Sequence, residues 1–127
     1  MSIHTETSVG EFLDKLTILK LKLDKVEDGS KLENIRKEHD TLVASWNASS
    51  YSRMDLDEEL AALKKINAEL WQMEEDIRAR EHNGEFDKTF VRLARAIYKK
   101  NDERAAIKKR INEKTGSTLT EEKSYDS

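Results

Sequence analysis

The sequence predicts an all-α protein: a four-helix bundle of two antiparallel hairpins, a short one from helices one and two and a long one from helices three and four, packed in coiled-coil fashion. Three observations lead there. Apolar residues recur at steps of three and four along nearly the whole chain, which is the helical period. The 127 residues contain no proline and four glycines, three of which stand where the apolar runs stop. Charged residues make up 39% against 36% hydrophobic and 6% aromatic, the balance of long, narrow helices facing water. A disordered chain can share that charge, but it carries proline and lacks the period.

Ser8 and Glu11 have the S-x-x-E spacing of a capping box and open helix one, residues 8–27, with the stripe Phe12, Leu16, Leu19, Leu23 and Val26. Asp28-Gly29 ends it. Ser30 and Glu33 repeat the device for helix two, 30–47, whose stripe is Leu32, Ile35, His39, Leu42 and Trp46. "NASSYSRMD" reads as a loop. Asp55 and Glu58 start helix three, 55–82, carrying Leu63, Ile66, Leu70, Met73 and Ile77, until Asn83-Gly84 breaks it. Helix four, 85–115, turns Phe86, Phe90, Leu93, Ile97 and later Ile111 inward, and Gly116 closes it. All of this forms one helical domain, 1–127. The tail, 117–127, has no periodicity and either docks or frays. Docking would seat Tyr125 in an apolar groove and bring Glu121 or Glu122 to a basic residue of helix four or of the other subunit.

The hairpins differ in size. Roughly 18 residues per helix in the first give about 27 Å, and roughly 28 to 30 in the second give about 42 to 45 Å. The long hairpin thus overhangs by about 15 Å, and a homodimer with twofold symmetry is the simplest cover for its apolar flank. Helix one adds to this expectation. Asp14, Thr17, Ile18, Leu21 and Lys25 lie opposite its main stripe, so the helix has two sides to bury, and these five residues are the interface candidates; the alternative makes Asp14, Lys15 and Thr17 a ligand-binding cluster.

A second polar constellation spans helices three and four. Asn67, Glu74, Arg78 and Glu81 flank the apolar face of helix three, with Trp71 beside them. On helix four the inward stripe changes after Ile97 to Asn101, Arg104 and Lys108. Antiparallel pairing about Asn83-Gly84 sets Asn67 level with Asn101, and Arg104 and Lys108 near Asp57, Glu58 and Glu59. A cation directed into a bundle needs a partner. Either helix-three carboxylates supply it, or an anionic small molecule does so in a cleft walled by Trp71 or Tyr98. Asn67, Trp71, Glu74, Arg78, Asn101, Arg104 and Lys108 are therefore the ligand-binding candidates.

Other classes fail on inventory. A net charge of −3 gives no global attraction to nucleic acid or anionic membranes. No apolar run approaches the roughly 20 residues of a membrane span, and "MSIHTETS" has neither the basic end nor the apolar stretch of a secretion signal. Without cysteine there is no disulfide, thiolate or Cys-type zinc site, and a cytoplasmic location is the default. His4, His39 and His82 lack ligand spacing, so neither metal nor cofactor is expected, and His39 reads as a packed histidine. There is no phosphate loop or G-x-S-x-G. "EELAA" and "EEDIR" lack the paired carboxylates of all-helical nucleotide pyrophosphohydrolases. Composition and motifs lean away from catalysis, toward a dimeric binding or scaffold protein.

"SVGEFLDKLTILKLKL", "INAELWQMEEDIR", "FVRLARAIYKKNDERAAIKKRIN" and "EEKSY" together resemble a group of small helical proteins, domain of unknown function family 6165. The resemblance runs from Ser8 to Tyr125. It implies no activity, but it makes "EEKSY" part of the fold. "ARAIYKKNDERAAIKKRIN" is also similar to helical chorismate mutases, whose inward Arg and Lys grip a dicarboxylate. That likeness implies an enzyme as the alternative. Helix one, however, lacks the arginine those enzymes carry there.

Overall fold

The structure is a computed structural model and describes residues 2–117. The expectations for Glu121, Glu122 and Tyr125 lie outside the described residues. Four helices form an all-α bundle: α1 (Val9–Lys25), α2 (Gly29–Ala48), α3 (Asp57–His82) and α4 (Lys88–Thr115). No strand occurs among the described residues.

Local chemistry sets most of the boundaries. Ser8 Oγ accepts from the Glu11 amide at 3.1 Å, so the cap of α1 stands where the sequence puts it. The reciprocal half of the box is different: the Glu11 carboxylate lies 2.8 Å from Lys108 Nζ. In α2 the cap is Asp28 and not Ser30. Its carboxylate reaches the amides of both Ser30 and Lys31, at 2.9 and 3.2 Å, which makes Ser30 a first-turn residue. Asp55 accepts from the Asp57 amide at 3.2 Å, and α3 starts there. Asp87 caps α4 through the Phe90 amide at 3.1 Å, so residues 85–87 belong to the connection. Phe86 accordingly is 62% exposed, not inward, and lies edge-on to Phe90 at 5.1 Å. Gly116 ends α4 in the left-handed region, φ +64°. The loop after α2 contains a turn of 3-10 helix, Ser50–Arg53, and its Tyr51 packs against the core.

Both hairpins are antiparallel. Lys15 meets Glu38 across the first at 3.0 Å. Lys100 meets Glu69 at 2.8 Å and Lys114 meets Glu59 at 2.6 Å across the second. α1 packs on all three other helices, whereas the principal contacts of α2 are to α1 and the 3-10 turn. The core joins Val9, Leu13 and Leu16 of α1 to Leu63, Ile66 and Leu70 of α3, to Ile107 and Ile111 of α4, and to Leu56 before α3. α2 has no fully buried residue; it lays Leu42, Val43 and Trp46 against the cluster, with Trp46 stacked on Phe12 at 6.0 Å.

The two buried sides of α1 are thus covered within the chain. Phe12 meets α2, while the side bearing Asp14 turns to the α3–α4 hairpin. At the N-terminal end α1 comes close enough to α4 that a Cβ on Gly10 would collide with the Lys108 carbonyl oxygen. The same closeness lets the Gly10 amide donate to Asn112 Oδ1 at 2.7 Å.

Candidate functional site

The side chain of Asp14 is 1% exposed, in the second turn of α1, on the side opposite the Phe12–Val26 stripe. Both of its oxygens are engaged. Oδ1 accepts from Asn67 Nδ2 of α3 at 2.9 Å. Oδ2 accepts from Arg104 Nε and Nη2 of α4 at 3.1 and 2.8 Å, and Lys108 Nζ stands 3.8 Å away. Lys108, 9% exposed at its side chain, makes its shorter ion pair with Glu11, one turn before Asp14. Three helices therefore converge on one carboxylate, and the buried charges meet as opposite pairs with hydrogen bonds, the condition for carrying charge in a core.

This arrangement corrects the expected pairing. Arg104 and Lys108 meet Asp14 and Glu11 of α1, not the acidic start of α3. The cation that reaches Glu59 is Lys114. The turn between α3 and α4 occupies residues 83–87, longer than Asn83-Gly84 alone, and this slides α4 along α3. The Lys114 hydrogen bond holds the Glu59 carboxyl below the usual glutamate range despite its burial, and the Glu59 partner raises the Lys114 ammonium. Glu69 and Lys100 shift each other in the same directions. Among the described residues the buried Glu59 Oε2 finds no hydrogen-bond partner.

The two groups of candidate residues come together at Asp14. Six of the seven ligand candidates (Asn67, Trp71, Glu74, Arg78, Asn101 and Arg104) line a groove of about 380 Å³. Ile18 and Leu21 of α1 line it too. Lys108 is absent from its wall, engaged instead with Glu11. Of the interface candidates, Asp14 and Thr17 are buried, Thr17 donating to the Leu13 carbonyl at 2.8 Å, and Lys25 is exposed.

The groove wall is largely committed to its own neighbours. Trp71 Nε1 donates to Glu75 Oε1 at 2.9 Å, and Arg78 approaches Glu74 at 3.8 Å. Asn101 donates to the Ile97 carbonyl at 3.1 Å. Arg104 Nη1 has a long contact to Asn101 Oδ1, 3.5 Å, and Arg104 remains 27% exposed. Among the described residues no cluster of three or more His, Cys, Asp and Glu is placed to hold a metal ion. His39 is half-buried and lies 3.1 Å from Asp40. No helix of the described residues is long and apolar enough to cross a membrane.

Sequence reasoning missed Glu11 and Asn112 as members of this constellation. The signal for Asn112 was present: Asn101, Arg104, Lys108 and Asn112 follow one another at steps of three, four and four, a single polar face of α4 turned toward α1.

The chain matches the family of unknown function (DUF6165) over residues 3–127, and it belongs to that family. No curated protein and no solved structure matches it.

Proposed function

We propose that this member of the family is a helical binding or scaffold protein without catalysis, working as a twofold dimer. The observation that carries this is the closure of the ionic cluster. A general base must come within hydrogen-bond reach of a substrate proton, yet Asp14 is enclosed and both of its oxygens already accept. A cation gripping a substrate carboxylate must face the cleft, yet Lys108 faces Glu11 and Arg104 spends two of its donors on Asp14. The polar interior works as an internal clamp.

What the monomer leaves uncovered supports the dimer. Ile18, Leu21 and Trp71 are half-buried around the groove, and Leu70 forms part of its floor. An isologous partner covers such a face with a copy of itself. Sedimentation equilibrium at micromolar concentration should give twice the 14.7 kDa chain mass. Leu21→Glu with Trp71→Glu should return it to the monomer with helicity unchanged. A wild-type chain that sediments as a monomer overturns the dimer.

A second reading has one observation in its favour. The groove has the volume of a small-molecule site, and the partly exposed guanidinium of Arg104 sits at its edge beside the Trp71 wall. An anionic ligand there would raise the melting temperature in a screen of nucleotides, sugar phosphates and aromatic dicarboxylates, and Arg78→Gln would reduce that rise. A flat screen and no chorismate turnover leave the binding-protein reading standing.

A further inference from the structure

We propose that the outer face of the first half of α4 is a docking strip for an acidic amphipathic helix of another protein. The proposal rests on the reading of this chain as a binding protein and names the chemistry of what it binds. From Lys88 to Asn101 the chain holds five cations and no carboxylate, in a sequence where acids outnumber bases. Lys100 turns inward to Glu69. The other four, Lys88, Arg92, Arg95 and Lys99, follow at steps of four, three and four, so they share one helical face about 16 Å long. All four are exposed, and among the described residues none has an ion-pair partner. Like charges one turn apart repel, and among the described residues no carboxylate pairs with these four.

Beside this basic face runs an apolar one. Val91, Ala94 and Tyr98 recur at steps of three and four, and Val91 and Tyr98 are 47% and 58% exposed. Val91 and Phe86 also border a hollow of about 530 Å³ rimmed by Lys88, Arg92 and Arg95. The carboxylate there, Asp87, is engaged by the Phe90 amide and by Arg80. An apolar seam at three-four spacing with charge along one flank is half of a helix–helix interface. Its complement is a helix with an apolar seam and carboxylates on the matching flank.

A second copy does not fit the strip. In an antiparallel twofold pair the same flank of each helix faces its copy, which would set Arg95 and Lys99 against their own kind. An anionic membrane fits less well, since an interfacial helix centres its apolar stripe between cations that reach outward on both sides, and here the cations border one side.

The test uses the full chain and a labelled synthetic helix of about three heptads, with Leu at the seam and Glu on the flanks. A second peptide carries Lys in place of every Glu. Fluorescence anisotropy should show the Glu peptide binding at least about tenfold more tightly than the Lys peptide, and weakening as salt rises from about 20 mM to about 300 mM. Arg95→Glu with Lys99→Glu should reverse the preference between the peptides, and Tyr98→Ser should weaken both. Circular dichroism checks that these surface variants keep their helicity. Equal affinity for the two peptides, or a preference that survives the charge reversal, overturns the strip. Binding to phosphatidylserine vesicles but not to the Glu peptide overturns it in favour of a membrane surface. Sedimentation of the Arg95→Glu, Lys99→Glu variant separates this proposal from the dimer: an unchanged mass with lost peptide binding supports the strip, and a mass that rises on charge reversal shows that copies meet there instead.

Discussion

At the scale of single residues, small groups in close quarters set the architecture. Gly10 is one. Its missing side chain lets α1 reach the backbone of α4, where a Cβ would meet the Lys108 carbonyl oxygen and sit 3.0 Å from Asn112 Oδ1. Backbone cannot move aside as a flexible side chain can, so Gly10→Ala is an overpacking substitution. It should cost about 1–3 kcal/mol, read as a lower urea midpoint with an unchanged slope. The paired carboxylates act through pH. Glu59 and Glu69 are held below 4.5, so they contribute stability that is present above that value and lost as pH falls through their folded values. Lys114 and Lys100 are raised above 10.5; their contribution is present below that and lost as pH rises through the folded values. Thermal melts against pH should therefore show a plateau between these limits, and Glu59→Gln with Glu69→Gln should flatten the acid limb. An acid limb identical to wild type would show that the two pairs contribute nothing measurable.

At the scale of the element, α1 is the piece everything else closes on, and its first turn shows how. Three of its orphan amides find side chains: Val9 donates to Ser117 at 3.4 Å, Gly10 to Asn112 at 2.7 Å and Glu11 to Ser8 at 3.1 Å. One of those acceptors, Asn112, is in the last turn of α4 and another, Ser117, follows its Gly116 cap, so the start of α1 and the end of α4 should open together. Asn112→Ala should speed amide exchange at Gly10 and cost about 1–3 kcal/mol for a buried donor left unsatisfied. Exchange at Gly10 that stays as slow as in wild type would contradict this tie. The cap at Ser8, the stop at Gly116 and the inward face of α3 were legible in the sequence, because each depends on residues within a turn or two; the inward face of α4 was legible at Ile111 but not at Phe86, which lies before the helix and is exposed. Register was not. The ladder from Lys114–Glu59 to Lys100–Glu69 depends on how many residues the connecting turn consumes, and Asn83-Gly84 alone understates it. The candidate residues of α3 and α4 could be picked out by their interruption of an apolar stripe. That Asp14 would be their partner depends on which neighbour covers the second side of α1, and helical spacing carries no information about that neighbour.

At the scale of the whole molecule, one buried carboxylate ties three helices, and α2 lies outside, its principal contacts among the long helices being to α1. Buried ionic clusters of this kind fix which helix lies where more than they add net stability. The hairpin beyond the cluster carries what a partner would need: a half-covered groove on one side and an exposed basic face on the outer surface of α4. A clamp inside and contact surfaces outside is the division of labour of a binding protein. Urea unfolding of Asp14→Leu beside the double variant Asp14→Leu, Arg104→Met tests that division most directly. If the cluster is a clamp, Asp14→Leu strands the Arg104 cation while Lys108 keeps Glu11, which should cost about 3–5 kcal/mol, and the double variant should recover part of that loss by removing the stranded charge. If the cluster is instead a site held ready for a ligand, its replacement relieves stored repulsion and strain, as at many active sites. An Asp14→Leu protein as stable as wild type, or more stable, would contradict the clamp.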